Sequence, residues 1–440
     1  MNLFRRYNNR SNERGQILPM FAVFLVIMIL FIGLAIDLGY AYVTKANLSK
    51  AVDAAALKGM LSYSAGSGQA TLVAASVFAA NYPPSGRDAS PPVLQACEGP
   101  GPNCVYFTTN STTGLKQINV TATTTINTFF ARIVPSLSTL TVSDTAQSTR
   151  ANVMMTLVLD HSGSMQNNDG WAALPPAVNT FLTYFSDTLD QVAVASFSTN
   201  ATLNVPMQNN FTSTIDNTVN SWGMSYFQGA TFALGGMQLA QAQEAPSPAN
   251  VLKVVVFFTD GIANTIQDNL NCTGYPNPSG APEVNYGGNA PTENDYIVWA
   301  DPLSGNILQN NACYISDSGN SGQTSPCCSA RTFPSQQYGT QESYTRANIT
   351  AEAEYRTLQI ANALRAANPP VVIYTIGLGS VTNPTFLQEL ANSTNSPTYN
   401  SALPSGLAVA APYCPGPTCI TDLQQAFQQV ATDILLKLTQ

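Results

Sequence analysis

From Gly15 to Ile36 the chain reads GQILPMFAVFLVIMILFIGLAI, twenty-two residues without one ionised side chain. About 20 apolar residues rise roughly 30 Å as a helix, the thickness of a bilayer's hydrocarbon core. A cleaved signal peptide and a buried core helix are the alternatives. The run is long for a signal core, and no clear small-x-small site follows it directly, although Ala41 and Ala46 keep cleavage open. A transmembrane helix over 15–37 is therefore expected. Arg5, Arg6, Arg10 and Arg14 all precede it and the next arginine is Arg87. The positive-inside rule then predicts a cytoplasmic tail at 1–14 and a body on the far side of the membrane.

The rest of the chain fits an extracytoplasmic setting. Charged residues make up only 10% of the 440, and hydrophobic residues 45%. The net charge is −8, and the first fourteen residues contribute +3, so the body carries −11. Such a body repels phosphate backbones and shows no basic patch with interleaved aromatics, which argues against nucleic acid. The eight cysteines, Cys97, Cys104, Cys272, Cys313, Cys327, Cys328, Cys414 and Cys419, all follow the apolar run. An even count in an oxidising compartment reads as disulfides. Zinc is the rival, but there is no Cys-x-x-Cys pair and one histidine only. Cys97 with Cys104, and Cys414 with Cys419, bracket Gly/Pro-rich turns and are expected to pair locally. A bond between neighbours Cys327 and Cys328 is disfavoured by normal disulfide geometry, so Cys272 and Cys313 are each expected to join one of them.

After the apolar run the helical pattern continues to about Met60, and a second Ala-rich helix follows. KQINVTATTTI and LTVSDTAQST alternate as strands, with the short amphipathic NTFFARIV between them. Residues 38–150 thus read as a helical segment and a small α+β unit. From Val153 strands alternate with helices: VMMTLVL, QVAVASFS with ATLNVPM as its hairpin partner, VLKVVVFF and VVIYTIGLG. Alternating β and α units with strands apolar on both faces imply an α/β fold, a mostly parallel sheet covered on both sides, over 151–440. The Asn-, Gly-, Ser- and Pro-rich stretch at about 264–341 holds four cysteines and is too long for a loop, so an inserted, disulfide-stapled subdomain is expected there.

The first of these strands stops in Asp160-His161-Ser162-Gly163-Ser164. QGATF presents Thr231 ahead of a helix, and the strand VVVFF ends in Thr259-Asp260-Gly261. A polar turn is the bland reading of the first loop, since Ser, Gly and Asp are common turn residues. Loops at the carboxyl ends of adjacent parallel strands line one crevice, however, so Asp160, Ser162, Ser164, Thr231 and Asp260 can converge. Hydroxyl and carboxylate oxygens suit Mg²⁺ or Mn²⁺ rather than Zn²⁺. His161 is not needed as a ligand and is expected to point outward.

Asp-x-Ser-x-Ser at 160–164 with Thr231 and Asp260 resembles the metal-ion-dependent adhesion site of von Willebrand factor type A domains, over about Val153 to Leu438 less the insertion. The resemblance implies a metal held by those five residues and a protein partner presenting an acidic residue. The amino terminus resembles TadG-like proteins of the tight-adherence (Flp) pilus system, through Arg14-Gly15-Gln16, Asp37-Leu38-Gly39 and Asp53-Ala54-Ala55-Ala56-Leu57. Pilin-like relatives that are cut after a glycine carry Glu five positions beyond it, whereas Met20 stands there, which argues against prepilin processing. Together the two resemblances imply a single-pass protein of a bacterial inner membrane serving pilus assembly or adhesion. An adhesin or sensor for a host or matrix ligand, and a structural scaffold with an idle site, are the alternatives. Catalysis is disfavoured: His161 adjoins Asp160 and Ser162 too closely for a triad, and no Gly-Lys pair marks a P-loop.

Overall fold

The computed structural model describes residues 17–82, 88–167, 169–246, 250–268, 331–343, 346–412 and 419–438, with short strands between 271 and 322. The chain divides into two compact units.

The first unit is built on α1 (Ile17–Leu61), α2 (Ser67–Asn81), β1 (Cys104–Thr109), β2 (Lys116–Asn127) and β3 (Thr139–Arg150). Among the described residues α1 is the one helix long and apolar enough to cross a membrane. Its side chains from Met20 to Ile32 are exposed all round, as expected of a helix whose solvent is lipid. Beyond them α1 becomes one-sided: Leu48, Val52, Ala55 and Met60 are buried, as are Ala70, Ala74 and Phe78 of α2. β2 alternates cleanly from Val120 to Ile126, with Val120, Ala122, Thr124 and Ile126 buried and Thr121, Thr123 and Thr125 half-exposed. It pairs antiparallel with β1 on one side and with β3 on the other. The expected Cys97–Cys104 disulfide is present. NTFFARIV departs from a regular helix. Pro135 follows it closely, and the stretch forms two single 3₁₀ turns, Ala131–Ile133 and Pro135–Leu137.

The second unit carries a six-stranded sheet made of β4 (Asn152–Asp160), β5 (Gln191–Phe197), β6 (Ala201–Gln208), β7 (Val251–Thr259), β8 (Val371–Leu378) and β9 (Ala408–Ala411). The spatial order is β9-β8-β7-β4-β5-β6, parallel throughout except for β6, the antiparallel hairpin partner of β5. Each central strand is buried on both faces. Met155, Leu157 and Leu159 of β4 join one core with α4 (Gly170–Leu182), α5 (Thr212–Asn220) and α9 (Cys419–Leu438). Val158, with Val255 and Phe257 of β7, joins the opposite core with α6 (Ala233–Glu244), α7 (Arg346–Ala366) and α8 (Pro384–Ala391). This is the expected parallel sheet covered on both sides. After β4 the chain builds outward to β5 and β6, then crosses back to lay β7 on β4's other flank. The switch point of the sheet therefore lies between β4 and β7.

Between β7 and α7 the described residues include an antiparallel sheet of Thr265–Asp268, Val284–Gly287, Ile297–Ala300 and Ile307–Leu308. Cys272 lies in the short strand Asn271–Cys272. Cys313, Cys327 and Cys328, and most of the expected insertion, lie outside the described residues, as does Cys414. Cys419, its expected partner, is disulfide-bonded.

Candidate metal site

β4 delivers Asp160 to the carboxyl end of the sheet because seven consecutive buried residues, Val153 to Leu159, hold the strand straight up to it. The chain then breaks in an Asx turn, where Asp160 Oδ1 accepts the Ser162 N–H at 2.8 Å. Asp160 Oδ2 accepts the hydroxyl of Thr259, the last residue of β7, at 2.6 Å. Asp160 is fully buried, and burial pushes its carboxyl up to about 6 against the lowering influence of Thr259 and Ser162. A buried carboxylate so placed gains from a nearby cation.

The turn leads into the five-residue helix α3 (Gly163–Asn167), which presents Ser164 beside Ser162 with the two Oγ atoms 3.0 Å apart. Ser164 Oγ also donates to Asp260 Oδ1 at 2.6 Å, which ties the loop after β4 to the loop after β7. Thr231 completes the group. A Cβ built on Gly261 would stand 3.4 Å from Ser164 Oγ and 3.5 Å from Thr231 Oγ1, so both hydroxyls border the same point. All five residues singled out in the sequence thus meet in the crevice at the switch point, where open α/β sheets bind ligands.

Backbone bonds lock these loops together. His161 N–H donates to Phe197 O, Gly163 N–H to Gly229 O, and Gln228 N–H to His161 O. Gly229 sits at φ +91°, and a Cβ there would come within 2.4 Å of Thr199 Oγ1, so glycine is required. Thr231 is held by a two-way clasp with Asn264: its N–H donates to Asn264 Oδ1 at 2.7 Å, and its carbonyl accepts from Asn264 N–H at 3.1 Å. The sequence marks Thr259 only as the end of its strand and gives no sign of Asn264. Each is a single polar residue at a strand end or in a loop, with a partner far away in the chain.

His161 corrects an expectation. It is partly buried rather than turned outward, with its ring stacked on Tyr226 at 4.4 Å and Nδ1 3.1 Å from Tyr226 O. A carbonyl only accepts, so the proton sits on Nδ1. Tyr226 in turn stacks on Trp222 at 4.9 Å, and that aromatic surface outcompetes water for the imidazole. Burial lowers the pKa of His161, favouring the neutral ring.

The donor set fits a hard cation. Adjacent ligands of an octahedral ion bound at about 2.1 Å lie about 3.0 Å apart, the separation seen between the Ser162 and Ser164 hydroxyls. Among the described residues no cluster of three His, Cys, Asp or Glu side chains could hold a metal. The oxygens gathered here are instead three hydroxyls, of Ser162, Ser164 and Thr231, beside the carboxylates of Asp160 and Asp260.

Residues 15–62 match the Flp pilus-assembly TadE/G-like family, and residues 155–262 match the von Willebrand factor type A domain. No curated protein matches the chain. Similar solved structures include the pilus adhesin SpaC from Lactobacillus rhamnosus GG, at 15% identity over 76% of this chain and TM-score 0.37. The chain spans only 34% of that adhesin's length. The von Willebrand factor domain of the type V pili tip protein Mfa5 from Porphyromonas gingivalis is 18% identical over 66% of this chain and 97% of its own, with TM-score 0.38. The PilB minor pilin from Streptococcus sanguinis is 16% identical over 76% of this chain and 78% of its own, with TM-score 0.39. At these scores the likenesses add nothing to the sheet order and the matched segments. The two family matches thus fall on the amino-terminal helix, over 15–62, and on the part of the second unit that runs from β4 to the loop after β7, over 155–262.

Proposed function

We propose that this is a membrane-anchored pilus-assembly or adhesion protein whose type A domain grips an acidic group of a protein partner through Mg²⁺ or Mn²⁺. The observation that carries the reading is the convergence of three hydroxyls and two carboxylates from three loops at the switch point of the sheet. Ser162, Ser164 and Thr231 would hold the ion, with Asp160 and Asp260 balancing its charge. Neutral ligands leave a bound cation most of its positive charge, which it offers to a carboxylate from outside. The role is binding rather than catalysis, because the one histidine is committed to Tyr226 and both Asp160 oxygens accept from Ser162 and Thr259.

In this reading 1–14 is a cytoplasmic tail, 15–37 the span, 38–150 the TadG-like and α+β region, and 151–440 the type A domain with its insertion at about 264–341. The membrane is a bacterial inner membrane and the body lies outside the cytoplasm. Alkaline phosphatase fused after Gly66 should be active; an inactive fusion there would reverse the orientation. Cross-linking of the full chain in cells, with and without chelator, tests the function. A cross-linked envelope or pilus protein should be lost on chelation and in Asp160→Ala. A cross-link indifferent to both would remove the metal from the account.

A further inference from the structure

The hairpin that joins β2 to β3 has the wrong chemistry for a tip in water. Loop tips on soluble proteins are ordinarily polar, yet between Asn127 and Thr139 this one exposes Phe130, Ile133, Val134 and Leu137, with Ile133 70% and Leu137 52% accessible. Arg132 stands among them, also exposed.

Its placement on α1 is specific. Asp37, buried at the end of the uncharged run, accepts the N–H groups of Phe129 at 2.6 Å, Phe130 at 3.0 Å and Ala131 at 2.8 Å. One turn earlier, a Cβ on Gly33 would lie 2.5 Å from Phe130 Cβ, so glycine is what lets the loop lie against the helix. From Ile17 to Asp37 the helix rises about 30 Å, the hydrocarbon thickness of a bilayer. The loop therefore meets α1 where the span ends. Farther along α1, Lys45 pairs with Asp144 of β3 at 2.8 Å, so the strands lead away from that level and the loop is the end nearest the membrane. The apolar side chains of the loop continue the lipid-facing surface of α1.

We propose that this loop is a second membrane contact. Phe130, Ile133, Val134 and Leu137 would enter the head-group and upper acyl region, with Arg132 toward anionic head groups, while Asp37 anchors the loop backbone to the emerging helix. Apolar side chains of interfacial elements enter the boundary by about 5–10 Å, and aromatic and cationic residues favour that layer. The inference rests on α1 being a membrane span. Its consequence is that the first unit stands on the bilayer at two points.

The test uses the full chain reconstituted in phosphatidylcholine and phosphatidylglycerol vesicles, with single tryptophans added and the wild-type emission subtracted. Ile133→Trp and, independently, Leu137→Trp should lose most of the added emission to lipids brominated near the head-group end of the acyl chain. Val93→Trp, on an exposed site of the same unit, should keep its emission and yield instead to aqueous acrylamide. Phe24→Trp, mid-span, should be quenched by lipids brominated near the chain end. If Phe24→Trp is quenched while both loop tryptophans behave like Val93→Trp, the loop does not seat in lipid and covers some other partner. If Phe24→Trp is itself unquenched, the membrane anchor fails first and the inference falls with it.

Discussion

Replacing Asp190 with alanine should damage the second unit more than any other single charge removal discussed here. Arg150 and Asp190 are both buried, 1% and 0% accessible, and form a two-pronged pair at 2.9 and 2.5 Å. Asp190 also accepts Val153 N–H at 2.8 Å, at the start of β4, and Ser186 N–H at 2.7 Å. Removing one partner of a buried pair costs about 3–5 kcal/mol, because the remaining charge is left without compensation. Asp190→Ala also orphans two backbone donors, each costing about 1–3 kcal/mol if it stays dry. Arg150→Met leaves Asp190 its two backbone donors, so it should be milder by about 1–3 kcal/mol. All three tryptophans, Trp171, Trp222 and Trp299, belong to the second unit, so their fluorescence in urea follows that unit alone. At roughly 2–4 °C per kcal/mol for a domain of this size, Asp190→Ala should lower the thermal midpoint by about 10–20 °C. A loss under about 1 kcal/mol, or Arg150→Met proving the harsher change, would refute the reasoning from orphaned donors.

Glu244 gives a pH dependence. It is buried with Oε1 accepting from Thr156 Oγ1 and Oε2 without a hydrogen-bond partner, and burial pushes its carboxyl from 4.5 up to about 8. The folded chain then holds a proton that the unfolded chain releases, so this group's contribution to stability falls as pH rises between about 4.5 and 8. The slope should approach about 1.4 kcal/mol per pH unit, and Glu244→Gln should flatten it in urea titrations at several pH values. Gly229→Ala, forced to φ +91° with its Cβ against Thr199, should cost about 1–3 kcal/mol in the same assay. His161→Ala loses the stack on Tyr226 and should cost about 0.5–1.5 kcal/mol, while leaving any metal-induced stabilisation intact.

The two-faced apolar runs and their alternation with helices made the sheet legible in the sequence, because burial on both sides leaves no polar face in β4, β7 or β8. The end of such a strand is equally visible, so Asp160 and Asp260 read from the sequence as residues of one crevice. α5 was not legible: TSTIDNTVN has weak helix propensity throughout, and the helix forms because Ile215 and Val219, four apart, bury together in the core. β9 is not legible because AVAA has little β-branching and becomes a strand only by pairing with the edge of β8. The setting of His161 is hidden for the same reason: it is made by Tyr226, a partner distant in sequence that local pattern does not disclose. The clasp between Thr231 and Asn264 belongs to that class too.

The most direct test of the central claim is a Mg²⁺ titration of the purified full chain, read as the thermal midpoint of the tryptophan signal. An ion bound by the native state alone stabilises it by about 2.7 kcal/mol at a hundredfold excess over its Kd, a rise of roughly 5–10 °C for a domain of this size. The wild-type chain should show that rise with Mg²⁺ or Mn²⁺, and His161→Ala should keep it. Asp160→Ala should lose most of it, since the three hydroxyls are then left without their buried counter-charge. No rise in the wild type, or an undiminished rise in Asp160→Ala, would contradict the account and leave the three loops as a structural junction.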